Sequence, residues 1–199
     1  MDIKLPYYIA EITDDIEGIS AISLVDSPAV ESDFLKFSKD KIKLNFKIEN
    51  EDKRLVTGVV MRCDYPIYRI GVSGYEYYII FNKETIIKMT EKMLKDNTFN
   101  NINLEHNDKR FVEGVNLREL FIKDTDKGIN PKGFEDITNG SLFATYHVTN
   151  DEIWDEIKNG TFNGFSLEGL FTVNEQKPQD IYNINNYDEL EDILNNLIK

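Results

Sequence analysis

The chain has 199 residues, 41% of them hydrophobic and 30% charged, which is enough for one domain with a real core and a short appendage. A formal net charge of -13 lacks the basic footprint of a nucleic-acid binder and disfavours docking on anionic lipid. A single cysteine, Cys63, leaves no internal disulfide and fits a reducing cytoplasmic setting.

Residues 1–45 read as an N-terminal arm. Within it residues 7–12 suit a short strand, residues 19–25 are apolar with serine interleaved, and Asp26-Ser27-Pro28 signals a turn. Met1-Asp2-Ile3-Lys4 lacks the basic flank and apolar run of a signal peptide, and no stretch is long and apolar enough to span a bilayer.

A compact domain is expected over residues 46–173. Residues 55–61 read as a buried strand, with Gly58 weakening it or marking a bulge. Asp64-Tyr65-Pro66 and Ser73-Gly74 turn the chain, and residues 76–81 form an aromatic-rich strand. Asn82 then caps a helix to about residue 95, with Ile86, Met89, Met93 and Leu94 on one stripe.

Short strands are expected at 102–106, 112–122 and 142–148, with a polar, glycine-rich surface loop over 124–140. Thr149-Asn150-Asp151-Glu152 is a capping box that opens a helix carrying Ile153, Trp154 and Ile157, which stops at Asn159-Gly160. Residues 174–185 read as a polar linker containing Pro178. Residues 186–199 read as a C-terminal amphipathic helix with a stripe of Tyr187, Leu190, Leu194 and Leu197. About six or seven strands without β-α alternation predict an α+β fold: a bent or closed, mostly antiparallel β-barrel with helices outside it.

The stretch richest in chemistry is Asn163-Gly164-Phe165-Ser166-Leu167-Glu168-Gly169. Apolar Phe165, Leu167 and Phe171 alternate with Gly164, Ser166 and Glu168, so it reads as a strand. Ser166 and Glu168 then share one face, roughly 7 Å apart at Cα. The flanking glycines leave that face open to another backbone.

A serine needs a base to become a nucleophile, and the base needs an orienting partner. The chain has two histidines, His106 and His147. His106 sits in Leu104-Glu105-His106-Asn107, between a short apolar strand and a turn, and is the candidate base. His147 lies inside a strand and reads as structural. Glu168 either orients His106 or shapes the substrate cleft, or is a solvated carboxylate at a barrel rim. Glu105 alternates away from His106. Cys63 has no motif that would make it a nucleophile. Two separated histidines and no cysteine pair predict no metal, and no cofactor motif is present.

These motifs, in this order, resemble the phage prohead proteases, specifically the XkdF-like phage serine proteases. The pieces are Ile22-Ser23-Leu24-Val25-Asp26-Ser27-Pro28-Ala29-Val30, Leu55-Val56-Thr57-Gly58-Val59-Val60-Met61 before Tyr65-Pro66-Ile67-Tyr68-Arg69, and Tyr77-Tyr78-Ile79-Ile80-Phe81. They continue with Glu105-His106-Asn107 before Val112-Glu113-Gly114, Asn150-Asp151-Glu152-Ile153-Trp154, and the Ser166 segment. The resemblance implies a serine endopeptidase that matures capsids by cutting scaffold or major capsid protein inside the procapsid, in the host cytoplasm. It also implies an assemblin-like fold, with His106 and Ser166 at the family's histidine and serine. The assemblin third member is a histidine that follows the serine, but no histidine follows Ser166 and no arginine follows Arg118, so neither that histidine nor the downstream arginine carries over. A non-catalytic scaffolding protein on the same fold is the competing reading. Phage scaffold and capsid proteins are the expected partners, a homo-oligomer is admitted, and neither nucleic acid nor membrane is expected.

Overall fold

A computed structural model describes residues 5–26, 46–70 and 74–176. The turn expected at Ser27-Pro28, most of the linker and the helix expected over 186–199 lie outside the described residues.

The strands are β1 (Tyr7–Glu11), β2 (Gly18–Val25), β3 (Lys47–Asn50), β4 (Leu55–Met61), β5 (Ile67–Ile70) and β6 (Glu76–Ile80). Helix α1 (Lys83–Lys95) follows, then β7 (Ile102–Leu104), β8 (Asn107–Phe111), β9 (Val115–Ile122) and β10 (Leu142–Val148). Helix α2 (Asp151–Lys158), β11 (Gly164–Leu170) and β12 (Thr172–Gln176) complete the order. They form three four-stranded sheets, ordered β12-β1-β6-β5, β3-β4-β10-β9 and β11-β2-β7-β8.

The α+β class holds, but the expected barrel does not. Barrel closure requires every edge to find a partner, and each of these sheets keeps two edge strands. The reason lies in the connections: β1 and β2, and likewise β11 and β12, are consecutive in sequence yet belong to different sheets. The chain bends between sheets instead of continuing round one of them. The segment that reads as an arm supplies β1 and β2, both interior to their sheets, and β12 begins inside the domain and runs into the expected linker.

One continuous core joins the sheets and both helices. It includes Ala10, Ile22, Leu24, Val56, Val60, Ile86, Met89, Met93, Tyr146, Trp154 and Phe165. Asn82 caps α1 by accepting from the Thr85 amide at 2.9 Å, and Asn150 caps α2 by accepting from Ile153 at 3.1 Å. Gly58 is needed for packing: a Cβ there would meet Phe46 at 2.8 Å and the Phe165 ring at 3.1 Å. Phe165, on β11, is thereby seated against Phe46 and Tyr146, which fixes which face of β11 is core and which carries Ser166.

Candidate active site

The site is built on the sheet β11-β2-β7-β8. The ladders place Ser166 opposite Ser23 and Ser23 beside Asn103, so three polar residues form a row across three strands. Residues opposite one another in a sheet share a face, and Glu168 shares it too, two residues along β11. Phe165 and Leu167 point the other way, and Phe165 anchors in the core. This is the face that the alternation in residues 163–169 predicts.

His106 arrives from the neighbouring hairpin. Leu104 pairs with Asn107, so β7 and β8 are joined by the two residues Glu105 and His106. Both are left-handed, with φ 52° and 54°, the geometry that matches the twist of a two-residue hairpin. Neither is a glycine or an asparagine, so the turn is held from outside. The Glu105 amide donates to Leu24 O at 3.0 Å, and its carboxylate accepts from the Asp26 amide at 2.7 Å. Left-handed non-glycine residues held in this way concentrate at functional sites. The turn carries the His106 ring back over the polar row.

There Glu168 Oε1 is the hub. It accepts from Ser23 Oγ at 2.7 Å and from Asn103 Nδ2 at 2.7 Å, and it lies 3.2 Å from His106 Nδ1. Ser23 Oγ is also 2.6 Å from Asn103 Oδ1 and 3.1 Å from His106 Nδ1. Burial raises the pKa of Glu168, but the hydrogen bonds from Ser23, Asn103 and His106 and the adjacent imidazole outweigh it, and the carboxyl is held below the ordinary glutamate value. With an ionised Glu168 as acceptor, the His106 proton belongs on Nδ1, and Nε2 is left as the basic nitrogen. Glu168 and His106 side chains are 25% and 43% exposed, so the pair opens to solvent at its His106 end.

The structure thus brings His106 and Glu168 together. Ser166 lies next to them, separated by Ser23. It is 4% exposed, and among the described residues its hydroxyl makes no hydrogen bond to His106. Ser166 and Glu168 line a cleft of about 520 Å³ whose other walls include Met61, Ile67, Ile79, Phe81 and Phe171. His147 lies in another sheet, paired with Leu55 and Asn116. Cys63 is buried, and burial pushes its thiol far up, so it is no nucleophile.

Ser23 and Asn103 are the site residues that reading the sequence alone leaves out. Signals for both exist. Ser23 is the polar residue inside the apolar run 22–25, and Asn103 is the polar residue inside the shortest strand, three residues before His106. Neither signal has meaning until the parallel pairing of β2 and β7 sets them side by side.

A family model described as "Putative phage serine protease XkdF" matches residues 41–175. The phage-like element PBSX protein XkdF of Bacillus subtilis (strain 168) is 28% identical over 169 residues, 80% of this chain and 55% of that protein, so the chain spans about half the length of this curated relative. No solved structure matches.

Proposed function

The chain belongs to the family described as putative phage serine protease XkdF, and from that premise we propose that it is a serine endopeptidase acting on scaffold or capsid protein in the procapsid, with Ser166, His106 and Glu168 as its catalytic group. The observation that carries this reading is the pairing of Glu168 with His106 Nδ1 beside the cleft that Ser166 lines. It supplies a base, an orienter and a nucleophile in one place.

In this mechanism Ser166 Oγ attacks the scissile carbonyl carbon and forms the new C–O bond. His106 Nε2 takes the hydroxyl proton, and Glu168 stabilises the imidazolium through Nδ1. The C–N bond breaks as His106 returns the proton to the leaving amine. Water, deprotonated by His106, then hydrolyses the acyl-enzyme. Ser23 and Asn103 are positioning residues that hold Glu168 Oε1 ionised and aimed at the ring. Ser23 itself is fully buried and cannot meet a substrate. Ser166 and His106 must draw together when substrate binds, as catalytic hydrogen bonds often do relative to the free enzyme.

The absence of a Ser166–His106 hydrogen bond favours one alternative: a capsid-assembly protein that keeps the fold and does no chemistry. The test is co-expression with the phage's own scaffold and capsid proteins, with products read by mass spectrometry. Cleavage lost in the Ser166→Ala variant supports the protease. Identical products from wild type and Ser166→Ala leave the structural reading.

A further inference from the structure

We propose that Glu105 is a positioning residue for catalysis: its carboxylate fastens the turn that carries His106 to the end of β2, the same point to which Asn163 fastens the start of the Ser166 strand. The effect on turnover rests on the protease reading, but the placing of the imidazole can be measured without it.

The parallel ladder between β2 and β7 shows how the fastening works. The Ile22 amide donates to Asn101 O at 2.9 Å, and the Glu105 amide donates to Leu24 O at 3.0 Å. Such a ladder repeats every two residues. The β2 amides that face β7 are therefore those of Ile22, Leu24 and then Asp26, and the carbonyl that falls due for Asp26 is that of Glu105. There the hairpin intervenes: β7 ends at Leu104, and Glu105 and His106 are both left-handed. The Asp26 amide donates instead to Glu105 Oε1, at 2.7 Å. The side chain thus supplies the rung that the turn takes from the backbone, on the residue next to His106.

The rung matters because the ring itself is lightly held. The His106 side chain is 43% exposed, and its bonds to Glu168 and Ser23 are both made at Nδ1. A ring tethered at one edge follows its Cα, and that Cα follows the Glu105 backbone. The same footing holds the nucleophile's strand. Asn163 Nδ2 donates to Asp26 Oδ1 at 3.0 Å and to Asp26 O at 3.3 Å, and the Asn163 amide donates to Val25 O at 2.8 Å. Asn163 stands immediately before β11, which carries Ser166. Val25 and Asp26 are therefore the common footing of base and nucleophile, and the Glu105 carboxylate ties the base to it. Misplacing a catalytic group by about an ångström can cost on the order of a hundredfold in rate.

The test compares Glu105→Ala with Glu105→Gln, which keeps an acceptor oxygen at the same reach, in the full chain. The Glu105–Asp26 bond is exposed, so both variants should melt within a few degrees of wild type. With the phage's purified scaffold and capsid proteins as substrates, Glu105→Ala should lower kcat roughly ten- to a hundredfold with KM little changed, and Glu105→Gln should stay within about threefold of wild type. The second readout is the nitrogen-15 spectrum of the imidazoles above neutral pH, where an ordinary histidine is uncharged. The Nδ1–H form of His106 should dominate in wild type and in Glu105→Gln and become the minor form in Glu105→Ala, with His147 as the unmoved reference. A His106 signal unchanged in Glu105→Ala overturns the inference whatever the rate, and if the wild type still cuts, the protease reading stands. A Glu105→Gln variant as impaired as Glu105→Ala on both readouts also overturns it, because the acceptor would then not be what holds the turn. A wild type that cuts nothing, with the His106 signal moved by Glu105→Ala and restored by Glu105→Gln, removes the protease and leaves the positioning role.

Discussion

Ser166 and Ser23 stand directly opposite each other on β11 and β2, yet of the two only Ser23 touches the His106 imidazole. The two hydroxyls are separated by environment. Ser23 is locked among Asn103, Glu168 and His106, while Ser166 lines the cleft. In the proposed mechanism the locked serine positions Glu168 and the cleft serine is the nucleophile.

Ser166→Ala should abolish cleavage of co-expressed capsid or scaffold protein, a loss of several orders of magnitude. The fold should persist, because among the described residues the Ser166 hydroxyl anchors nothing and alanine suits the buried position. Circular dichroism and a melting temperature within a few degrees of wild type check the second half. His147→Ala serves as the control and should cut like wild type.

Ser23→Ala and Asn103→Ala should each lower kcat by roughly ten- to a hundredfold with little change in KM, because each loosens Glu168 without touching substrate. The distinguishing readout is the titration of Glu168 itself. With one hydrogen bond to its carboxylate lost, Glu168 titrates higher, and the midpoint of a carbon-13 NMR titration of its carboxyl should move up in pH. A midpoint that stays in place in both variants would mean that neither hydrogen bond holds the carboxylate ionised.

Glu168→Gln tests the same hub through stability. The folded pKa of Glu168 lies below the ordinary value of 4.5, so its ionised contacts stabilise the fold above about pH 4.5 and lose that contribution as pH falls through the lowered folded value. Thermal melts should therefore show Glu168→Gln below wild type at pH 6–7, with the gap narrowing toward pH 3. A gap constant across that range would contradict the assignment.

Lys123→Met should destabilise the fold while sparing the site. Lys123 is fully buried and donates to Phe134 O at 2.9 Å and Glu135 O at 2.8 Å, pinning the loop before β10. Removing the donor leaves the buried Phe134 carbonyl unsatisfied, at about 1–3 kcal/mol, and also breaks the part-buried bond to Glu135 O. Denaturant unfolding measures the loss, and cleavage by the folded fraction should be unchanged.

Ending the chain after Val173 should lower the melting temperature relative to a chain ending at Gln176. The shorter cut removes the rungs Ile9–Asn174, Tyr8–Glu175 and Tyr7–Gln176 between β12 and β1. Paired thermal melts of the two truncations decide it. Equal melting temperatures would show that those rungs contribute nothing.

Much of the local structure is legible in the residues alone. Asn82 and Asn150 announce their helices because a side-chain acceptor for an orphan amide is a local event. The strands at 55–61, 76–81 and 142–148, and the shared face of Ser166 and Glu168, follow from alternation, which is also local. Strands β3, β5 and β8 escape notice because they are short and largely polar or aromatic at exposed edges, where no apolar period marks them. The closed barrel fails as an expectation because sheet membership is a matter of which strand pairs with which, and no pattern within a strand encodes its partner.

By itself the sequence determined the types of the longer elements and the strand face that carries Ser166 and Glu168. Only the tertiary structure decided that Ser23 and Asn103 belong to the site. They are 80 residues apart and meet because β2 and β7 run parallel in register, a pairing set by long-range hydrogen bonds and a shared core.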